Sequence, residues 1–379
     1  MERNNLPSDS AYPVDLKIIL TTVKEKGGSD LHLIAGSPPI ARIYGSLVEL
    51  GYPPMGPQNI EVMLYQILQP FQEKKLKKNL ELDFSFSIPG VARFRGNAMY
   101  QQGSLAVVFR VIPYDIPELS MLGLPETIKR LCFLPRGLVL VTGPTGSGKT
   151  TTLAAMIDLI NRQLRKSIVT IEDPIEFLHK QKKSTIRQRE VGTDTHSYAA
   201  ALRHILRQDP DVILIGEMRD LESISAVLTA AETGHLVFST LHTQTAPLTV
   251  SRIVDAFQDH NRAQIRLQLA NTLQAVISQQ LLPKADAGGK VAGVELMINT
   301  PAVRNMIREG KEHQLYSVIQ TGRKDGMQTM DMSLADLFKK GKITRETALQ
   351  YCIEKNELVR LMQTQNFVTT FERRKDNWW

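Results

Sequence analysis

The run Gly143-Pro144-Thr145-Gly146-Ser147-Gly148-Lys149-Thr150 fits the spacing G-x-x-x-x-G-K-[ST] in full, a pattern whose chemistry is the holding of a polyphosphate. Glycines let the backbone curl around phosphate oxygens, and the helix that follows adds the positive end of its dipole. Lys149 then reaches the terminal phosphates, and the Thr150 hydroxyl ligates a divalent cation. An apolar β run precedes the loop and a helical segment follows it, a context that a chance glycine-rich turn would lack. The nucleotide-binding set is therefore Gly143, Pro144, Thr145, Gly146, Ser147, Gly148, Lys149, Thr150 and Thr151, with ATP and Mg²⁺ as the cofactors.

Three further apolar runs each deliver an ionisable side chain near one end. Asp211-Val212-Ile213-Leu214-Ile215-Gly216-Glu217 carries a carboxylate toward the metal, which Glu217 would hold through water. Ile168-Val169-Thr170-Ile171-Glu172 offers Glu172 as a general base for the attacking water, and Leu236 to Leu241 ends in His242, suited to sensing a terminal phosphate or relaying its loss. Open α/β sheets bind ligands beyond the carboxyl ends of their strands, so Lys149, Glu217, Glu172 and His242 are expected along one edge of one sheet. Taken singly, a glutamate at a strand end is usually a solvated residue. His235 opens the last of these strands, where a structural histidine is as good a reading as a catalytic one.

Phosphoryl transfer is commonly completed by an arginine that neutralises charge in the transition state. In Ala92-Arg93-Phe94-Arg95-Gly96-Asn97, strand alternation puts Arg93, Arg95 and Asn97 on one face and Phe94 on the other, and Arg110 closes the neighbouring strand. On sequence alone a solvated basic face is the favoured reading of these residues. The catalytic alternative requires a ring in which one copy's arginines reach the next copy's nucleotide.

The elements that must position these groups fall into two domains, as expected of 379 residues. Residues 1–13 read as a flexible arm, and residues 14–112 as an α+β domain with a helix at 14–26, strands at 30–34, 40–48, 82–88, 92–100 and 105–111, and a helical pattern over 57–80. Residues 113–121, opening Pro113-Tyr114-Asp115-Ile116-Pro117, form the linker. An α/β core over 122–298 carries strands at 138–142, 168–171, 212–215 and 236–241, as a mostly parallel sheet requires. Residues 299–366 read as helices only, and residues 367–379 as a tail in which Arg373-Arg374-Lys375 precedes Trp378-Trp379.

Composition narrows the setting. Apolar residues make up 42% and charged residues 22%, the balance of packed domains. No run approaches the roughly 20 apolar residues of a membrane span, and no signal peptide opens the chain, so the expectation is a cytoplasmic protein. Cys132 and Cys352 stand far apart with no CxxC pair, which argues against zinc. A net charge of +7 selects no partner by itself.

Together these segments resemble the secretion-type ATPases, and most closely the PilT group of type IV pilus retraction motors. The resemblance covers roughly residues 14–365. It is carried by Gly28-Ser29-Asp30-Leu31-His32-Leu33, by Pro89-Gly90-Val91-Ala92-Arg93-Phe94-Arg95, and by the phosphate loop. An acidic box at Thr170 to Glu176, Ile215-Gly216-Glu217-Met218-Arg219-Asp220, and a histidine box from Thr233-Gly234-His235 to His242-Thr243 add to it. Two C-terminal pieces discriminate better: Pro301-Ala302-Val303-Arg304-Asn305-Met306-Ile307-Arg308-Glu309, similar to the element AIRNLIRE that retraction motors need, and Gly326-Met327-Gln328-Thr329-Met330-Asp331.

The resemblance implies a PAS-like N-terminal α+β domain, a RecA-like P-loop ATPase domain with a helical C-terminal part, and a homohexamer. It implies that first-domain arginines act beside Glu172 and Glu217. It implies docking on the inner-membrane platform protein of the pilus machine, hence a peripheral location at that membrane, and it admits a paralogous retraction ATPase as a partner or as the role of this chain itself.

Other readings fare less well. Assembly motors carry an extra N-terminal domain and a tetracysteine zinc loop, for which this chain has neither room nor cysteines, whereas conjugation-type export ATPases lack the loop too and remain the alternative. A nucleic-acid translocase has little support from 6% aromatic residues and no aromatic-basic stacking stretch. A silent ATP-binding regulator is opposed by the intact Lys149, Glu172 and Glu217.

Overall fold

The computed structural model describes residues 14–112, 115–218, 220–286 and 288–364. The expected arm at 1–13, the linker residues Pro113 and Tyr114, Arg219 and the tail at 367–379 lie outside them. The chain groups into two compact units. The first runs to Ile116 and includes Ile171–Lys180 and Arg187–Ser197; the second takes Pro117–Thr170, Gln181–Ile186 and the remainder from Tyr198.

In the first unit, helix α1 (Leu16–Glu25) is opened by Asp15, whose carboxylate accepts from the Lys17 N–H at 2.8 Å. Strands β1 (Gly28–Leu33), β2 (Ile40–Ile43) and β3 (Ser46–Glu49) follow, then helices α2 (Pro57–Tyr65) and α3 (Pro70–Asn79). The helical pattern expected over 57–80 is thus divided between two helices. Pro70 lacks the N–H that a continuing helix needs and holds Gln69 extended, so the first helix stops and a second begins at the proline. Strands β4 (Glu81–Ile88), β5 (Ala92–Gln101) and β6 (Ser104–Ile112) complete an antiparallel sheet in the order β3-β2-β1-β6-β5-β4. Its inner face carries Leu31, Phe84, Phe94 and Phe109 against Leu16, Ile19, Leu20 and Val23 of α1.

The second unit opens with α4 (Glu126–Leu131), β7 (Gly137–Thr142) and α5 (Lys149–Gln163); β8 (Ser167–Glu172) and β9 (Thr185–Glu190) follow, their last residues, from Ile171 and from Arg187, grouping with the first unit. Next come α6 (Tyr198–Ile205), β10 (Val212–Ile215), α7 (Leu221–Glu232), β11 (Leu236–Leu241), α8 (Ala246–Asp255) and α9 (Asp259–Thr272), then β12 (Leu273–Pro283) and β13 (Lys290–Ile298). The sheet order is β13-β12-β7-β11-β10-β8-β9. Strands β12, β7, β11 and β10 are mutually parallel and β13 returns antiparallel. Every residue of β7, β10 and β11 is buried, because helices cover both faces of such a sheet. The overall class is the mixed α/β architecture expected.

Beyond Asn299 the elements are helical: α10 (Pro301–Arg308), α11 (Leu315–Thr321), α12 (Met330–Lys339), α13 (Arg345–Tyr351) and α14 (Lys355–Gln363), with short 3-10 turns between. Val303 and Ile307 of α10 are buried, so the apolar face of the Pro301–Glu309 element packs inward while Ala302, Asn305 and Arg308 face out. The run from Gly326 to Asp331 acts as a clasp. Gln328 bridges Leu296 and donates through Nε2 to the Val294 carbonyl at 2.7 Å, and the Asp331 carboxylate accepts from the N–H groups of Ile353 and Glu354, both at 2.9 Å.

Glu295 of β13 lies beside this clasp, fully buried, with Oε1 accepting from the Ala246 N–H at the start of α8 at 2.7 Å. Burial pushes its carboxyl up to about 7, against the opposing pull of the Ala246 and Met330 N–H groups. An ordinary glutamate near 4.5 in the unfolded chain binds its proton less tightly. The stabilisation is therefore complete below that value and is lost as pH rises toward 7, by about 3 kcal/mol. Thermal unfolding followed from pH 5 to 8 will show the midpoint falling with pH, and Glu295→Gln will flatten that fall; equal slopes in both proteins would contradict the assignment.

Candidate active site

The phosphate loop leaves β7 at Thr142 and enters α5, a helix of 15 residues, at Lys149. Two of its glycines are required by geometry. Gly143 has φ +139° and an added Cβ would meet the Gln279 carbonyl oxygen at 2.2 Å, while Gly148 has φ +88° and would meet Gln279 Nε2 at 2.8 Å. The Lys149 ammonium, nearly buried, donates to the carbonyls of Gly143 at 2.7 Å and Pro144 at 3.0 Å, so it lies across the mouth of the loop. Ser147 Oγ is buried with no hydrogen-bond partner. A loop of positive-φ glycines at a long helix N-terminus, with a lysine over it and a buried hydroxyl to spare, fits the phosphates of a nucleotide.

Two strands over, Glu217 stands beyond β10 and His242 directly follows β11. The register pairs Ile215 with Ser239 and Leu241 with Thr142, so the ends of β10, β11 and β7 run level. With strands about 4.8 Å apart, the loop, His242 and Glu217 follow one another along a single edge. The β10 end is pinned to β11 by Thr240 Oγ1 donating to the Gly216 carbonyl at 2.5 Å and by Met218 N–H donating to Thr240 O at 3.2 Å. His242 Nε2 then meets Glu217 Oε1 at 2.8 Å. The Glu217 side chain is 17% exposed and that of His242 is 53% exposed, so the carboxylate is sheltered and the imidazole is open to solvent. An apolar cleft of about 410 Å³ adjoins the pair, lined by Met218, Leu221, Ile224 and Leu241.

Glu172 ends β8 and groups with the first unit. It is buried there, with Oε1 accepting from Gln188 Nε2 at 3.1 Å. Along β5, burial alternates as expected, with Arg93, Arg95 and Asn97 on one face and Phe94 buried on the other. The three arginines differ in what holds them. Arg93 Nη2 meets Glu190 Oε2 at 2.8 Å and Ser85 Oγ at 2.6 Å, and its Nε donates to the Ile175 carbonyl at 2.8 Å, all nearly buried. Arg95 lies opposite Arg110 and reaches Asp83 only at 3.9 Å, with both side chains exposed. Arg110 pairs with Asp30 at 2.9 Å while keeping 69% of its side chain exposed. Burial would raise the Asp30 carboxyl, but Ser29 and Arg110 outweigh it and hold it below the usual range.

His235 stands at the amino end of β11, roughly 20 Å along the strand from His242. There its Nδ1 lies 2.9 Å from the Ala230 carbonyl and 3.2 Å from Thr233 Oγ1, at the end of α7. Sequence reasoning passed over two residues. Glu190, on β9, gathers Arg93, Ser85 and the Ile175 N–H onto one carboxylate. Gln279, on β12, is 3% exposed, accepts from Thr152 Oγ1 at 2.9 Å and donates to the Ser147 carbonyl at 2.8 Å. For Gln279 the available signal was a polar residue inside an otherwise buried strand, whereas Glu190 closes a strand that is polar for most of its length and offered none.

Residues 13–331 match the family described as Type II/IV secretion system protein. The type IV pilus retraction ATPase PilT of Pseudomonas aeruginosa is 52% identical over 335 residues, 88% of this chain and 97% of its own length. A twitching motility protein of Neisseria gonorrhoeae is 51% identical over 315 residues, 83% of this chain and 84% of its own. Among solved structures, the pilus retraction motor PilT with bound ADP superposes with a TM-score of 0.86 at 49% identity, covering 92% of this chain and 99% of that one. On a match that spans most of its length, with relatives at about half identity throughout, the chain belongs to the type II/IV secretion system protein family.

Proposed function

We propose that this chain hydrolyses ATP and that the released energy drives retraction of a type IV pilus, the activity named for its Pseudomonas aeruginosa relative. The observation that carries the catalytic half is the sheltered Glu217 meeting His242 at 2.8 Å on the same sheet edge as the phosphate loop. Lys149 neutralises the terminal phosphates. Thr150 and, through water, Glu217 would hold Mg²⁺, which when bound would screen the charge that develops on the transferring phosphoryl group. Glu172 is assigned the second carboxylate, polarising water, and His242 reports on the terminal phosphate through its contact with Glu217.

The remaining parts of the reading are a homohexameric ring, a cytoplasmic position beneath the inner-membrane platform protein, and service as the principal or an accessory retraction ATPase. Arg95 and Arg110 suit the task of reaching a neighbouring copy's nucleotide better than Arg93, because their guanidinium groups are exposed. Among the described residues no helix is long and apolar enough to cross a membrane, which is compatible with that placement.

The test is deletion of the gene followed by complementation with wild type or with Glu217→Ala. Loss is expected to leave abundant surface pili and no twitching, reversed by wild type and not by the variant. Disappearance of the pili would transfer the assignment to assembly or export.

A further inference from the structure

We propose that Gln279 is a positioning residue that fixes the phosphate loop in its nucleotide-holding shape and thereby sets nucleotide affinity. The proposal rests on reading residues 143–151 as the nucleotide site. Its basis is a set of contacts that converge on one buried residue from the loop and from the first turn of α5. The Gln279 amide donates to the Ser147 carbonyl at 2.8 Å and accepts from Thr152 Oγ1 in the first turns of α5 at 2.9 Å. Its backbone carbonyl closes the space over Gly143, and its Nε2 closes the space over Gly148. One residue earlier on β12, Ser278 Oγ accepts from Thr142 Oγ1 at 2.9 Å, just where the loop departs.

The chemistry follows from what the amide can do. With the Ser147 carbonyl turned onto Gln279, the peptide unit between loop and helix is held in one orientation, which a loop that cradles phosphate oxygens needs. Only a side chain with a donor and an acceptor at the same end can tie the loop carbonyl to the helix hydroxyl, and Gln279 has both. Leucine at this position would leave the Ser147 carbonyl and the Thr152 hydroxyl buried without their partner, and the loop would relax away from β12. Gln279 touches no reacting atom. Its loss weakens ground state and transition state together, so KM for ATP rises while kcat is largely kept.

The experiment uses the full chain, ADP as the binding probe, and steady-state ATP turnover. Gln279→Leu is expected to weaken ADP binding and raise KM by about tenfold, with kcat changed by less than about threefold. Gln279→Glu keeps the acceptor for Thr152 but faces the Ser147 carbonyl with a second oxygen. Its affinity should therefore recover as pH is lowered and the carboxyl gains a proton to donate, a pH profile that wild type lacks. Thr152→Val in the Gln279→Leu background should add almost nothing, since both remove the same bridge.

Gln279→Leu that melts like wild type and binds ADP within about twofold of it would overturn the proposal. Were that variant unfolded, Thr152→Val alone decides: weaker ADP binding supports the bridge, and unchanged binding overturns it. Failure of wild type to bind ADP would instead refute the nucleotide-site reading itself.

Discussion

Glu217→Gln is expected to lower kcat for ATP by about 10–100-fold, the range lost with an outer-shell partner of a metal, while leaving ADP affinity within about threefold of wild type. The substitution keeps the shape of the side chain, and its amide oxygen can still accept from His242 Nε2, so the 2.8 Å contact survives. What disappears is negative charge beside the site of phosphoryl transfer. The phosphate loop, built from other residues, continues to hold the nucleotide. Phosphate release and ADP titration on the same preparations separate the two effects. Near-normal turnover would remove Glu217 from the reaction, and loss of ADP binding would make it a structural residue.

The second large effect is on stability. Arg93→Ala is expected to destabilise the first unit by about 3–5 kcal/mol, the usual result of stripping one partner from a buried ion pair. The side chains of Arg93 and Glu190 are 12% and 10% exposed, so the carboxylate would stay behind in a poorly hydrated place. Serine and backbone groups already bonded to it cannot replace a cation. Arg95→Ala, by contrast, breaks only an exposed contact of 3.9 Å and should cost less than about 1 kcal/mol. Denaturant unfolding of the two variants makes the comparison. Equal stabilities would contradict the distinction between an arginine that holds the fold and one available to a neighbour.

That distinction marks the limit of what the chain revealed before its structure. Alternation along β5 placed Arg93 and Arg95 on one face correctly, since side chains repeat every second residue. Their difference depends on Glu190, 97 positions from Arg93, and no local pattern encodes such a meeting. The four apolar runs at the sheet centre were legible because strands buried on both faces are continuous in hydrophobicity, and each became a strand. Strand β12 was not: Ser278, Gln279 and Gln280 interrupt its apolar run directly after α9, and Ser278 and Gln279 are bonded to Thr142, Ser147 and Thr152 far away in the chain. The histidines divide in the same way. His242 and Glu217 each follow an apolar strand and could be expected on one sheet edge, whereas their contact, like the attachment of His235 to the end of α7, depends on the fold.

The most direct test of the account is ATP turnover by the purified chain beside Lys149→Ala, in buffers with and without Mg²⁺. The account predicts phosphate release from wild type that requires the cation and is abolished by the variant. Equal release from both proteins, or turnover indifferent to Mg²⁺, would contradict the claim that the loop from Gly143 to Thr151 is where this protein does its chemistry.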